Sequence, residues 1–259
     1  MFKIATWNVN SLRVRLPHVL DWLESERPDV LALQETKVTD EVFPVMEFNE
    51  IGYQATYSGQ KTYNGVATIS LQPADIVSTA LPGFDDPQKR VLGVLVNDIC
   101  VLNLYVPNGS EVGSEKYSYK LAWLSNLQSY TGMLLEKYKD CILLGDFNIA
   151  PADEDVHDPQ EWAGKVLCSD LERQAFFKLT DAGLKDCFRS FEQEKDSFSW
   201  WDYRAAAFRR NRGLRIDHIL ASSDLAGHCK RCHIDKAPRL LERPSDHTPV
   251  VAEFDIPAS

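Results

Sequence analysis

Residues 143–151, LLGDFNIAP, are the stretch from which the fold can be predicted. An apolar run typical of a buried strand ends abruptly in an acid, an aromatic, an amide and, shortly after, a proline. Side chains two residues apart on a strand lie on one face, so Asp146 and Asn148 point the same way if extended geometry persists to Pro151. Aspartate and asparagine also favour the turn that follows a strand. Taken alone, the stretch fits either an ordinary turn or two side chains aimed together.

The pattern of strand, polar loop, helix, strand and acid occurs twice along the chain. Its strands are FKIATWNVNS (2–11), PDVLALQETK (28–37), ICVLNLYVPNGS (99–110) and DCILLGDFN (140–148). Helical spacing of leucines predicts the intervening helices over about 16–26 and 117–137. The second strands carry Glu35 and Asp146 at their ends. Near-continuous apolar strands joined by helices predict parallel pairs in sheets that are covered on both faces.

The rest of the chain adds further strands and one more clear helix. The predicted strands are 53–60, 65–71, 90–96, 214–222 and 250–256, and the helix lies near 170–182. No low-complexity linker divides the sequence. The sequence therefore predicts an α/β fold in a single domain over residues 1–259.

Composition excludes several classes of protein. The chain starts without the basic and apolar regions of a signal peptide and has no apolar run long enough for a membrane span, so we expect a soluble, cytoplasmic protein with no membrane partner. The net charge of −10 argues only weakly against binding to polyanions, because acidic groups can be local and hold metal. CKRCH at 229–233 matches a haem-attachment pattern. Without an export signal, and without the second ligand pair that zinc needs, we predict neither haem nor zinc there.

Polar or acidic groups gather where the predicted strands end. In such sheets, ligands bind at strand ends, so the two units should bring these groups to one rim. The residues expected at this rim are Asn8, Glu35, Tyr105, Asn108, Asp146 and Asn148. Asp217 lies inside an apolar strand, where an unpaired charge is costly, and a histidine such as His247 would be a suitable partner. Oxygen-rich ligands of this kind suit Mg²⁺ or Mn²⁺ better than zinc.

Six motifs occur in order: TWNVNSLR, LQETK, YVPNG, LGDFNIAP, RGLRIDHIL and PSDHTPV. In these the chain resembles exonuclease III and the related abasic-site endonucleases of the endonuclease/exonuclease/phosphatase superfamily, essentially from end to end. The resemblance implies a DNase I-like, four-layered α/β sandwich of two facing mixed β-sheets flanked by helices. It also implies a Mg²⁺-dependent (or Mn²⁺-dependent), monomeric, nucleoid-associated enzyme acting on duplex DNA with abasic sites, nicks or blocked 3′ ends. The expected activities are 3′→5′ exonuclease, 3′-end cleaning and abasic-site incision.

The resemblance also implies roles for individual residues. Asp146 would activate the attacking water, and Asn148 would fix that water and a phosphate oxygen. His247, paired with Asp217, would contact the scissile phosphate, and Tyr105 would approach the phosphate or the leaving group. Asn108 would contact a phosphate. The implied metal ligands are Glu35, the principal one, with Asn8, Asp146, Asn148, Asp246 and His247.

The stretch SWWDYRAAAFRRNRGLR at 199–215 interleaves arginines with aromatic residues. Such a run is often only a solvated loop, but the aromatics suit stacking on an unpaired sugar or base while arginines hold phosphates. By the resemblance, Trp200, Leu214 and Ile216 would line an apolar pocket for the displaced nucleotide. Further DNA contacts are expected from Arg204, Arg209, Gln60, Lys61 and Arg90.

Some positions depart from the family pattern. Some relatives carry an aspartate at Asn10 and an aromatic at Leu214, and LCSDLERQ (167–174) replaces a loop that lies near DNA in the family. The balance between abasic incision and 3′-end trimming is therefore open. A superfamily phosphatase or phosphodiesterase acting on inositol phosphates or lipids is the alternative function. A regulator that keeps the fold without catalysis is a second alternative, although the expected acids and the histidine are all present.

Overall fold

The structure is a computed structural model that describes residues 1–256. Its strands are β1 (Phe2–Asn8), β2 (Val30–Gln34), β3 (Gln54–Ser58), β4 (Val66–Ser70), β5 (Asp75–Ser78), β6 (Val91–Val96), β7 (Ile99–Tyr105), β8 (Cys141–Asp146), β9 (Leu184–Asp186), β10 (Asp217–Ser222), β11 (Cys229–Ile234) and β12 (Val250–Phe254). Its α-helices are α1 (Leu12–Glu26), α2 (Val45–Glu50), α3 (Glu115–Lys137), α4 (Pro159–Trp162), α5 (Asp170–Asp181) and α6 (Ser223–Ala226).

The strands form two six-stranded mixed sheets. The first has the order β11-β12-β1-β2-β4-β3, and the second β5-β6-β7-β8-β10-β9. Each sheet contains one of the two repeated units as a parallel pair, β1 with β2 and β7 with β8. The register aligns Asn8 with Gln34 and Tyr105 with Asp146, so each unit delivers two polar strand ends to the same edge.

Three apolar layers hold the sheets and helices together. Alternate residues of both sheets, such as Ile4 and Ile142, meet in the central layer. The other faces are covered by helices: α1 packs Leu23 against the first sheet, and α3 packs Leu127 against the second. The order helix, sheet, sheet, helix is the four-layered sandwich that the family resemblance implied. Burial of apolar side chains in all three layers supplies most of the stabilisation.

Two features fix how closely the strands approach at the site. Asn103, in the middle of β7, donates from Nδ2 to the carbonyls of Leu33 and Ala67, and so bonds the second sheet to the first. Gly145 has φ near +144°, and a side chain there would meet the Leu104 carbonyl oxygen at 1.9 Å. Only glycine allows β8 to lie this close to β7 immediately before Asp146.

The predicted elements agree with the structure, with a few differences. Helix α1 begins at Leu12 rather than near 16, because its first turns bury only Leu12 before Val19 and so show little apolar periodicity. Asp217 is the first residue of β10 instead of an internal one, although it is fully buried. The prediction missed the short strands β5 and β9, and it missed β11, whose register shift between Cys229 and Arg231 disrupts alternation. The CKRCH sequence belongs to this edge strand.

Residues 257–259 lie outside the described residues, so the prediction of one domain over 1–259 stays a prediction. Along the described part of the chain, no helix combines the length and the hydrophobicity needed to cross a membrane.

Candidate active site

The ends of β1 and β8, from different sheets, meet at a shared amide group. The Nδ2 of Asn8 donates to Asp146 Oδ2 and to Glu35 Oε1, at 2.9 Å in each case. The Oδ1 of Asn8 accepts from the backbone N–H of Asn10 at 3.0 Å, which fixes the orientation of the amide. Asn8 therefore crosslinks the two acids and presents no free oxygen to them. The family resemblance implied that Asn8 is a metal ligand, whereas here its amide bonds the two acids and the backbone of Asn10.

Asp146 and Asn148 do lie together, but for a different reason from the extended geometry expected. Asn148 adopts a left-handed conformation with φ of 49°, so the chain turns sharply after β8. The turn is closed by a hydrogen bond from the Asn148 N–H to Asp146 Oδ1 at 2.9 Å. Asparagine tolerates this conformation better than most residues because its short polar side chain can bond locally. The turn, rather than the strand, aligns the pair.

The carboxamide of Asn148 is held on two sides. Its Oδ1 accepts from Asn108 Nδ2 at 2.9 Å, and its Nδ2 donates to the Val106 carbonyl at 3.0 Å. An amide nitrogen has two hydrogens, so one N–H of Asn148 is left for another acceptor. The side chain is almost fully buried and its orientation is fixed.

His247 stands between two aspartates. Its Nδ1 lies 2.9 Å from Asp217 Oδ2, and its Nε2 lies 3.7 Å from Asp146 Oδ2. Asp217 also accepts from the hydroxyl of Ser199 at 2.6 Å, so both its oxygens are engaged. All three charged residues are buried, and their ligand-type atoms lie within 4.8 Å of one another. The predicted pairing of Asp217 with a histidine is confirmed.

The electrostatics of the cluster follow from this crowding. Burial alone lowers the pKa of His247, but the carboxylates of Asp217 and Asp146 outweigh it and raise that pKa to about 10. Burial raises the pKa of Asp146 to about 7, and the nearby charges of Asp217 and Glu35 add to the increase, while His247 opposes it. The carboxylates of the site therefore carry more negative charge than the single imidazolium of His247 can neutralise.

A divalent cation fits this excess of carboxylates. Glu35 turns its side chain towards Asn8 from a left-handed backbone with φ of 51°, and its Oε2 is bound by Lys37 at 2.9 Å. Glu35 and Asp146 both reach the same amide, so their oxygens converge from the two sheets. Carboxylate oxygens suit hard cations. Glu35 and Asp146 are therefore the residues that would hold such an ion.

Asp246, expected as a second ligand, has both oxygens engaged. Oδ1 accepts from Asn10 Nδ2 at 2.9 Å, and Oδ2 accepts from the indole of Trp200 at 3.0 Å. These bonds and His247 lower the pKa of Asp246 although burial opposes the shift. In this arrangement, the two bonds to Asp246 tie Asn10 and the indole of Trp200 to the edge of the site.

Tyr105 and Arg90 border the site on the other side. The guanidinium of Arg90 stacks 4.6 Å from the ring centroid of Tyr105. Burial and the charges of Glu35 and Asp146 raise the pKa of Tyr105 well above its usual value, so the hydroxyl stays protonated. Both residues line a groove of about 560 Å³ whose wall also includes Glu35. Gln60 and Asn108 line the same groove, and Lys61 is exposed next to Gln60.

The arginine-aromatic stretch is only partly available to a ligand. Arg204 and Arg209 are exposed, and Arg204 is paired with Asp202. Leu214 and Ile216 were expected to line a pocket for a nucleotide, but the structure buries them at 0% and 1% exposure, in an apolar cluster beneath Trp200. They support the half-buried indole from below and have no surface of their own to offer.

Sequence reasoning missed Lys120 and Ser199, which bond Asn148 and Asp217 from behind, and Glu172, which holds Lys120. Lys120 lies on α3 at helical spacing from Tyr117, Leu124 and Leu127, all of them buried. A lysine on an apolar helical stripe was the available signal, since such a charge requires a buried partner.

The fold and this rim define a hydrolytic centre at the edge of a two-sheet α/β sandwich, the architecture of divalent-metal nucleases and phosphatases. Residues 5–247 match the Endonuclease/Exonuclease/phosphatase family, and the chain belongs to that family. It is 38% identical to exodeoxyribonuclease III of Haemophilus influenzae over 97% of this chain and 99% of that protein.

Solved structures of relatives agree with the fold. The 3′ phosphatase NExo from Neisseria, bound to a product DNA hairpin, is 46% identical, with a TM-score of 0.97 over 99% of this chain and 100% of that one. An AP endonuclease from Archaeoglobus fulgidus is 40% identical, with a TM-score of 0.95 over 99% of this chain and 100% of that one.

Proposed function

We propose that this chain is a metal-dependent DNA repair nuclease that hydrolyses phosphodiesters at 3′ ends of duplex DNA. It acts as a 3′→5′ exonuclease and cleans blocked 3′ ends, and it also incises abasic sites and acts at nicks. Relatives named as an exodeoxyribonuclease, a 3′ phosphatase and an AP endonuclease support this function. The observation that carries it is the buried array of Asp217, His247 and Asp146 beside Glu35.

We propose Mg²⁺, or Mn²⁺ in its place, as the cofactor, held by Glu35 and Asp146. Both ligand groups are carboxylates with hard oxygen atoms, and the cluster of ligand-type groups around Asp146 contains another carboxylate and one histidine, Asp217 and His247. When bound, the ion neutralises charge on the nonbridging phosphate oxygens. The remaining tasks fall to the side chains.

Each buried group has one chemical task in this reaction. Asp146 accepts the proton of the attacking water, and the unused N–H of Asn148 donates to a phosphate oxygen. The imidazolium of His247, held by Asp217, donates to the phosphate from Nε2. Tyr105, kept protonated, donates a hydrogen bond from its hydroxyl to the phosphate or to the leaving 3′ oxygen.

The surface around the array would bind the rest of the DNA. Arg90, Gln60, Lys61 and Asn108 would hold phosphates along the groove. Arg204, Arg209 and Trp200 would contact the strand on the opposite side of the array. Positive groups at this rim account for DNA binding by a protein whose net charge is −10. On this proposal the protein works as a monomer beside chromosomal DNA in the cytoplasm.

The test uses three labelled duplexes at equal enzyme concentration: one with a recessed 3′ hydroxyl, one with a 3′ phosphate and one with an internal abasic analogue. We expect cleavage of the first two and incision of the third in Mg²⁺, and none in EDTA. A soluble inositol phosphate serves as the competing substrate. Robust hydrolysis of that compound with all three DNAs intact would overturn the proposal.

A further inference from the structure

One lysine is buried directly behind the two asparagines of the site. Lys120, on α3, has no exposed surface, yet it carries a charge. Burial lowers the pKa of this ammonium, while its partner Glu172 opposes the shift. The cost of burying a charge is met only where every hydrogen finds an acceptor.

The ammonium of Lys120 has three hydrogens, and three acceptors surround it. Nζ lies 3.1 Å from the carbonyl of Asn108, 2.6 Å from the carbonyl of Asn148, and 2.5 Å from Glu172 Oε1. The two carbonyls belong to the loops after β7 and β8. A single point charge therefore joins the two loops whose side chains also bond each other at 2.9 Å.

Glu172 is itself fixed by the start of α5. Its Oε1 accepts from the N–H of Leu167 at 3.0 Å, and its Oε2 accepts from the N–H and the hydroxyl of Ser169, at 3.1 and 2.5 Å. The Ser169 hydroxyl also bonds the hydroxyl of Tyr117, on α3, at 2.6 Å. The carboxylate is thus a rigid support that holds the ammonium in one direction.

We propose that Lys120, held by Glu172, is a positioning residue for the hydrolytic reaction, because it fixes the Asn108 and Asn148 loops from behind. The inference rests on the proposed function. Asn148 must keep a left-handed backbone for its carboxamide to face the site, and the bond to its carbonyl holds that conformation. The ammonium feels the charge of Asp146 but makes no hydrogen bond to Asp146 or His247, so its direct contacts with the site run through the two asparagines.

A purely stabilising role would not need this chemistry. A buried ion pair adds little net stability compared with apolar residues of similar volume. An ammonium with three fixed acceptors does, however, set the direction of two carbonyls, which an apolar side chain cannot do. The effect of its loss should therefore appear in turnover more than in unfolding.

The test is the double variant Lys120→Met/Glu172→Gln, which removes both charges and keeps both stems. We expect kcat to fall at least about tenfold with KM within about threefold of wild type, because small displacements of positioning groups reduce rate. The matched control is Lys137→Met, an exposed lysine on the same helix, which should leave kcat unchanged. A folded double variant with wild-type kcat would overturn the inference.

A double-mutant cycle separates positioning from general stability. In an Asn148→Ala background, the Lys120/Glu172 change should have less than about a threefold further effect, since residues that act through one another are not additive. A loss that multiplies in full in that background would overturn the inference.

If the double variant does not fold, Ser169→Ala tests the same support by removing the hydroxyl that donates to Glu172. We expect kcat to fall about threefold or more at constant KM, because the variant loses one hydrogen bond that holds Glu172. An unchanged kcat would overturn the inference. Failure of the wild-type protein to cleave any of the three duplexes would overturn the proposed function instead.

Discussion

Asp146 and Asp217 are partners across β8 and β10, at the edge of the second sheet where both strands carry a buried carboxylate. The imidazole of His247, from the segment before β12 of the first sheet, lies between them. Strand pairing fixes the spacing of the two acids, and the sandwich brings in the imidazole from the other sheet. The three side chains can therefore act as one unit.

Replacement of Asp146 by asparagine should lower kcat on a recessed 3′ end at least about 100-fold, because an amide of the same shape cannot take a proton from water. Initial rates at saturating Mg²⁺ give the measurement. Asp153→Asn is the matched control, since that carboxylate is exposed and lies only a few residues away. Activity within a few-fold of wild type in Asp146→Asn would contradict the assigned role.

Replacement of Asp217 by asparagine should lower the pKa of His247. Burial already favours the neutral ring, and the Asp217 carboxylate is the largest influence that opposes it. The imidazolium should then be lost at a lower pH, so the relative rate of the variant should fall more at about pH 9 than at about pH 6.5. NMR titration of His247 and a rate profile against pH provide the check. Parallel profiles for variant and wild type would rule out this coupling.

Removal of the exposed charges of Arg204 and Arg209 by alanine should raise KM and leave kcat nearly unchanged. Each lost phosphate contact should reduce the slope of log affinity against log salt by about 0.9. Binding to a short duplex at several salt concentrations measures the slope. Lys139→Ala is the control, because Lys139 is exposed next to the opposite end of β8. An unchanged slope in the double arginine variant would place the DNA elsewhere.

The free energy of unfolding should decrease as the pH falls, because His218 is buried in its neutral form. This buried histidine has its pKa lowered to about 4 from 6.5, first by burial and then by Arg215. The unfolded chain takes up the proton more readily, so stability is retained above about pH 6.5 and is lost as the pH falls towards 4. The loss from this group is about 3 kcal/mol.

Urea unfolding at about pH 7 and about pH 4.5 measures this effect, and His218→Gln should reduce the pH dependence. Asp155 also contributes to the pH dependence, because Arg215 and Arg189 lower its pKa although burial opposes them. The stability that this carboxylate contributes is lost at lower pH, in the wild type and in the variant alike. An equally steep pH dependence in His218→Gln would show that another group is responsible.

Much of the fold followed from local patterns. The two repeated units were predictable because apolar strands and helical leucine spacing depend on residues close together in sequence. The same patterns placed Glu35 and Asp146 at strand ends. Strand β11 was not predictable, since a bulge disrupts its alternation. The burial of Leu214 and Ile216 was not predictable either, because the sequence does not distinguish an apolar residue in a pocket wall from one in a core.

The sequence by itself determined the class of fold, the strand ends and the identity of the groups that gather there. Only the tertiary structure decided which atoms face one another: that Asn8 presents its nitrogen to two acids, that Asp246 holds Trp200, and that Lys120 supports the asparagine loops from behind. The reason is physical. Elements form from short-range periodicity, whereas a hydrogen-bond partner from another sheet depends on how whole layers pack.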